Sequence, residues 1–150
     1  MATAASASLA ELYERDETAW LEAMSASIRA GRLDEVDFPN LAEYLADLAK
    51  RDRREVAHRL AVLIAHLLKW EHQPGQRSGS WRRTIVVQRQ RLRGMLESGT
   101  LRNHAVKILA SAYADGQTIA ETGLPESAFP AECPFSLDEV LQGSSGVEPS

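Results

Sequence analysis

Two tryptophans in neighbouring amphipathic segments constrain the fold more than any other feature of this chain. The segment His66-Leu67-Leu68-Lys69-Trp70 is followed by Ser80-Trp81-Arg82-Arg83-Thr84-Ile85, and Pro74-Gly75 lies between them. Proline and glycine in succession end helices and begin turns. The pattern therefore predicts two successive amphipathic helices, joined by a tight turn, that contribute their indole rings to a core.

Helical periodicity continues along most of the chain, and no run of alternating β-branched residues competes with it. Asp52 and Glu55 have the spacing of a capping box, which predicts that a helix restarts or kinks there. The other boundaries are set by capping residues, glycine or proline. Helices are predicted from Asp16 to Ala30, from Asp37 to the capping box, and over residues 53–72, 80–98 and 101–122, with a short last helix over 136–141.

These segments predict an all-α fold, a single-domain helical bundle of about five helices with a proline-rich C-terminal segment packed over it. Residues 53–72 are apolar on nearly every side, which places this helix in the middle of the bundle. The predicted core residues are Trp20, Leu63, Leu67, Trp70, Trp81 and Ile85.

Length and composition favour one domain. At 150 residues, with 44% hydrophobic and 25% charged side chains, the chain has the composition of a globular domain that buries about 70% of its unfolded surface around one core. We expect a flexible N-terminus over residues 1–11, one helical domain over residues 12–141 and a disordered tail over residues 142–150.

Targeting and redox signals are few. The N-terminal residues show no basic region followed by a long apolar stretch, so we expect no signal peptide. The longest nearly unbroken apolar run is the nine residues 60–68, far short of the roughly 20 that cross a bilayer. The single cysteine, Cys133, has no partner for an internal disulfide, and no CxxC pair suggests zinc. We expect a cytoplasmic location, no membrane partner and no cofactor.

The histidines offer the first candidate chemistry. Glu55 and His58 have the spacing of one half of a di-iron site, but no second such pair exists, so no metal site is predicted. His66 lies within the apolar run, where burial can shift a pKa and produce a catalytic base. A hydrogen-bonded core histidine is the alternative, and it is favoured because no nucleophile or carboxylate lies near His66 in the sequence. Cys133 is expected to pack rather than react.

Charge offers the second candidate, because it is strongly segregated although the net charge is −4. Residues 69–107 hold nine Lys and Arg against two acids, whereas residues 108–150 hold seven acids and no base. This arrangement indicates either an anion-binding surface or two parts of one molecule that neutralise each other.

Within the basic segment, Arg82, Arg89 and Arg93 recur at helical spacing along one flank of the apolar face. Guanidinium groups in such a row can bind successive phosphates or carboxylates, so these three form the candidate anion or nucleic-acid site. The alternative is that they pair with acidic parts of the same chain. The pI of about 5.6 favours that alternative, because dedicated nucleic-acid domains have a pI above about 9.

Five ordered motifs resemble a bacterial family known as domain of unknown function 29, over residues 12–141. They are Tyr13-Glu14-x-Asp16-x-x-Ala19-Trp20, Asn40-Leu41-x-Glu43, His66-Leu67-Leu68-Lys69-Trp70, Ser80-Trp81-x-x-Thr84-Ile85 and Pro130-x-Glu132-Cys133-Pro134-Phe135. The resemblance implies an all-helical cytoplasmic bacterial protein and assigns no activity or site residue.

The chain departs from the family pattern on one predicted helix. Residues 40–46 retain one of three glutamates typical of the family, which argues against a carboxylate site there. Ala49 stands where the family tends to have glycine, so the break before Arg51 is expected to be soft and the two helices nearly continuous.

Three functions follow as hypotheses. The preferred one is a non-enzymatic module that binds another protein or forms a homo-oligomer through an amphipathic helix. The first alternative is nucleic-acid or phosphate binding through the basic helix over residues 80–98. The second is an enzyme that uses His66.

Overall fold

A computed structural model describes the backbone of residues 2–121 and 129–143 and the side chains of residues 9–121 and 129–143. These residues form six α-helices and no β-strand, which confirms the predicted all-α class. Short 3-10 turns at Leu33–Glu35 and Pro74–Gln76 precede the third and fourth helices. The helices are α1 (Ala2–Arg15), α2 (Glu17–Arg29), α3 (Phe38–His72), α4 (Gly79–Met95), α5 (Gly99–Ala120) and α6 (Leu137–Gln142).

Side-chain caps fix several helix starts. The predicted caps Asp16 and Ser136 accept the backbone N–H groups of Ala19 and Glu139 at 3.1 Å each. Ser78 and Ser98 do the same for α4 and α5, so both helices begin one or two residues earlier than predicted. Helix α1 begins at Ala2, ahead of the residue 12 at which the sequence places the start of the helical domain.

The predicted restart at Asp52 and Glu55 is wrong, because α3 is continuous from Phe38 to His72. Glu55 does not turn back to the backbone of Asp52. Its Oε1 instead accepts a hydrogen bond from Arg59 Nε at 2.9 Å, one turn further along the helix. No glycine occurs between residues 38 and 72, and the only proline is in the first turn, so nothing interrupts the backbone hydrogen bonds.

The chain divides into two compact units, an N-terminal unit (Met1–Lys50) and a C-terminal unit (Arg51–Ser150). The buried side chains correspondingly form two apolar clusters, where chain length predicts one. No helix among the described residues combines the length and apolar character that a membrane crossing requires.

The N-terminal unit is built around Trp20, which is fully buried. Its ring packs against Tyr13 and Tyr44, with centroid distances of 4.6 and 5.9 Å. The indole Nε1–H donates to the buried carboxylate of Asp37 at 3.2 Å, and the Asn40 amide donates to the same oxygen at 2.8 Å. This buried pairing ties α2 to the start of α3.

The C-terminal unit holds the larger cluster. Leu63, Leu67, Trp70 and Ile85 are buried there, and Trp81 is partly buried against it. In the described part of the segment after α5, six apolar side chains cover the cluster. Four are buried, Phe129, Leu137, Val140 and Leu141, and two are partly buried, Cys133 and Phe135. Helix α6 packs on α4 and α5.

Two side chains of α5 bind one backbone carbonyl of the segment that follows this helix. Tyr113 Oη–H and the Gln117 side-chain amide both donate to Pro130 O, at 2.6 and 3.0 Å. Residue 122, the predicted end of the fifth helix, and residues 123–128 of the proline-rich segment lie outside the described residues, as do residues 144–150 of the predicted tail.

Helices α3 and α5 approach each other closely at Gly116. A methyl group added at Gly116 would lie 3.0 Å from Ala61 O and 3.0 Å from Ile64 Cγ2. The carbonyl belongs to the backbone of α3, so it can move only if the helix moves.

Gly116→Ala should therefore destabilise the protein by about 1–3 kcal/mol through overpacking. Gly94→Ala is the matched control, because Gly94 is helical and its added methyl group meets nothing within 4 Å. That change should be neutral or stabilise by up to about 1 kcal/mol. Urea unfolding followed by circular dichroism measures both, and equal midpoints for the two variants would contradict the close approach.

Candidate functional site

The two sequence motifs that carry the tryptophans meet at the corner between α3 and α4. Arg77 lies over the Trp70 ring, with 4.8 Å from Cζ to the ring centroid, and its Nε donates to Trp70 O at 2.7 Å. Arg82 approaches the same ring at 5.7 Å, and Lys69 Nζ lies 5.9 Å from the centroid of Trp81. These cation–aromatic contacts and the carbonyl hydrogen bond stabilise the turn.

The three arginines predicted as an anion site do not form one row. Arg82 faces Trp70, and Arg93 is exposed at the other end of α4. Arg89 is only 4% exposed, because it lies on the core side of α4 with Ile85 and Leu92. Its Nε donates to Val140 O at 3.0 Å. Arg89, the middle residue of the three, is therefore not exposed beside Arg82 and Arg93.

Arg89 instead connects α4 to α6. Between α5 and α6, Arg102 Nη2 lies 2.8 Å from Asp138 Oδ1 on the protein surface. The basic segment and the acidic C-terminal segment are thus in contact at these two points. This agrees with the alternative that parts of one chain neutralise each other, although the exposed pair contributes little stability.

His66 is half-buried and has a backbone partner. Its Nδ1 lies 2.8 Å from Val62 O, and since a carbonyl only accepts, the proton is assigned to Nδ1 and the neutral ring keeps Nε2 as an acceptor. Burial lowers the pKa of His66 below 6.5; the hydrogen bond to Val62 opposes this shift, and the Lys69 charge adds to it. Among the described residues no carboxylate contacts the ring.

Cys133 does not have the surroundings of a reactive thiol. Its Sγ–H donates to Phe135 O at 3.3 Å. Burial raises the pKa of the thiol, which the hydrogen bond opposes and Glu139 reinforces. A raised pKa keeps the sulfur protonated near pH 7, whereas nucleophilic cysteines need the thiolate.

Described residues of the C-terminal unit line three open clefts. The first, of about 530 Å³, places Arg59 and Arg91 near the acids Asp52 and Glu55. The second, of about 460 Å³, contains His58 and Asp115 together with Ile119. Ile119 is 38% exposed. No group of three potential metal ligands occurs in the part of the chain that the structure describes.

The third cleft, of about 230 Å³, differs in its chemistry. Its lining residues all carry N–H or O–H donors, and none is acidic: Arg53, Thr100, Asn103, His104 and Lys107. The sequence contains a signal for it that was missed, because Thr100, Asn103, His104 and Lys107 recur at the three- and four-residue spacing of one helix face. Arg53 could not be added from the sequence, since its position depends on how α3 packs against α5.

The N-terminal unit contains an exposed apolar stripe on α3. Phe38 and Leu45 are 54% and 56% exposed, and Ala42 and Ala49 are exposed between and beyond them. The spacing of four, three and four residues places all four on one face. We call Phe38, Ala42, Leu45 and Ala49 the α3 stripe.

Arg89→Ala should destabilise the protein by about 2–3 kcal/mol, because it removes buried packing and leaves the Val140 carbonyl without this donor. Arg93→Ala, on the exposed side of the same helix, should change stability by no more than about 0.5 kcal/mol. Chemical denaturation compares the two. A small effect of Arg89→Ala would mean that this arginine is held less firmly than its hydrogen bond implies.

Stability should fall as the solution is acidified below pH 6.5, through the pKa of folded His66. His66 binds a proton more readily in the unfolded state than in the folded state, because folding lowers its pKa. The stability that the neutral His66 ring contributes is therefore complete above pH 6.5 and is lost at lower pH. His66→Gln, compared with His58→Gln at an exposed position, should remove part of the difference in unfolding free energy between pH 7.5 and pH 5.5. Identical pH profiles for the two variants would contradict this assignment.

Comparison with known proteins gives a family and no activity. The comparisons with curated proteins and with solved structures found no match. The family model described as domain of unknown function DUF29 matches residues 12–144. This range includes all five motifs named above, together with α2 to α6. The chain therefore belongs to the DUF29 family.

Proposed function

We propose that this protein is a self-associating helical module in which two copies pair through the α3 stripe. The observation that carries the proposal is the alternation of large and small apolar side chains along an exposed helix face. Single exposed apolar residues are common on protein surfaces and need no explanation. A periodic set of four is different, because it has the pattern of a helix–helix interface.

The helix face that carries the α3 stripe continues as an apolar face into the C-terminal unit. Five positions at alternating four- and three-residue spacing follow there, and all of them are buried: Val56, Leu60, Leu63, Leu67 and Trp70. One helix thus carries one apolar phase that is covered in its second half and exposed in its first. This continuity supports a helical partner for the exposed half.

A second copy fits the alternation when the two helices run antiparallel. Phe38 then faces Ala49 of the other copy, and Leu45 faces Ala42, so each large side chain meets a small one. A parallel pair would place large against large and alanine against alanine. The sequence of the α3 stripe therefore favours the antiparallel arrangement.

Charge at the two ends of the α3 stripe favours the same arrangement. Residues 33–37 contain three acids and no base, whereas residues 50–54 contain four bases and one acid. An antiparallel pair brings the acidic end of each copy towards the basic end of the other. A parallel pair would bring like charges together.

The expected affinity is modest. Burial of the exposed halves of Phe38 and Leu45 in both copies contributes about 4–6 kcal/mol at the usual value per side chain. Association costs at least about 4 kcal/mol in lost freedom. These side chains alone therefore leave a net of at most about 2 kcal/mol, which corresponds to a dissociation constant of about 30 mM. The opposite charges at the two ends of the α3 stripe must supply the remaining affinity, and association should be followed up to the highest protein concentration that stays in solution.

Leu45→Glu should shift the protein to monomer over this concentration range, because it places a charge against a small apolar partner. Val106→Glu is the matched control, since Val106 is 59% exposed on α5 and is not a member of the α3 stripe. Sedimentation velocity as a function of concentration measures the effect. Equal association of both variants, or a monomeric wild type at every concentration, would contradict the proposal.

Cross-linking tests the direction of pairing. In a Cys133→Ser background, Phe38→Cys and Ala49→Cys proteins are prepared separately and then mixed under mild oxidation. An antiparallel pair should give the mixed disulfide, because identical positions lie about 16 Å apart along the helix axis. Disulfides that join two chains of the same variant, with none between a Phe38→Cys chain and an Ala49→Cys chain, would indicate parallel pairing.

A further inference from the structure

The cleft lined by Arg53, Thr100, Asn103, His104 and Lys107 shares only Arg53 with the basic end of the α3 stripe. It lies in the C-terminal unit, where α5 contributes four of its residues and α3 contributes Arg53. Arg53, Thr100, Asn103 and Lys107 are exposed, and His104 is partly buried. The lining contains two permanent positive charges.

These charges are not neutralised within the cleft. In the other two clefts the basic side chains share the lining with carboxylates, Asp52 and Glu55 in one and Asp115 in the other. The third cleft has no carboxylate in its lining. Across the described residues, none of its five side chains forms a hydrogen bond or ion pair with another residue.

The donor set matches a tetrahedral oxyanion. A guanidinium group can bind two oxygens of one phosphate, and an ammonium group adds a compact charge. The Thr100 hydroxyl and the Asn103 amide can donate to the remaining oxygens. A volume of about 230 Å³ lies below the range of pockets that enclose drug-sized ligands, so the cleft suits a small anion or the phosphate group of a larger molecule.

We propose that this cleft binds a phosphate group, held by Arg53 and Lys107 from α3 and α5. The anion completes the hydrogen bonding of donors that otherwise face solvent. Binding joins two helices through one ligand, and it requires neither Arg82 nor Arg93 on α4.

Titration of the full chain with inorganic phosphate at low ionic strength tests the site, with amide NMR shifts as the readout. The amides of residues 100–107 should shift and saturate, and sodium chloride at matched ionic strength should not reproduce the change. Lys107→Gln should weaken binding by about tenfold, the usual effect of a lost charged hydrogen bond. Arg53→Gln should behave in the same way.

Arg91→Gln is the matched control, because Arg91 is an exposed arginine that lines the neighbouring cleft with two acids. It should leave phosphate affinity unchanged. Equal affinity in Lys107→Gln and wild type, or shifts that chloride reproduces, would overturn the proposal. The Leu45→Glu protein should bind phosphate with the affinity of the wild type, because loss of pairing should leave the cleft intact. This measurement distinguishes a failure of the phosphate site from a failure of self-association.

A phosphomonoester and a single-stranded oligonucleotide identify the source of the phosphate. Tighter binding of the monoester than of inorganic phosphate, lost in Lys107→Gln, would support a small-molecule site. Oligonucleotide binding that Arg91→Gln and Lys107→Gln weaken equally would overturn the proposal in favour of a diffuse basic surface.

Discussion

The apolar phase of α3 is the constraint on which the rest of the structure depends. In the C-terminal unit this helix buries nine residues, from Val56 to Trp70, and its neighbours are arranged to cover them. Helix α5 can approach closely because Gly116 has no side chain at the point of contact. The segment after α5 then covers the cluster with further apolar residues.

Local sequence signals were sufficient for the helices and much of the core. The helix start at Phe38, the caps Asp16 and Ser136 and the buried rings of Trp20 and Trp70 all follow from patterns within a few residues. The continuity of α3 does not, because a capping-box spacing also occurs inside helices, where Glu55 finds Arg59 instead. The α3 stripe lies on the same helix face as the predicted core residues of α3. Only the observed exposure of its side chains distinguishes the stripe from a buried core face.

The candidate sites were harder to predict, because a charge's role depends on contacts that are distant in the sequence. Arg89 and Arg93 have the same chemistry and lie one turn apart, yet Arg89 reaches Val140, 51 residues away. Arg53 and Lys107 share a cleft only because α3 and α5 pack together. Helical spacing identifies which residues share a face, but it does not say what that face meets.

The contact at Gly116 also has a consequence for how the two helices are aligned. If α5 slid by one residue along α3, the side chain of Asp115 or Gln117 would replace hydrogen at a position that leaves only 3.0 Å to the Ala61 carbonyl oxygen. Neither side chain fits there, so the neighbouring alignments are excluded by sterics rather than by a weaker attraction. A single absent side chain thus fixes the alignment of this helix pair against a shift of one residue in either direction.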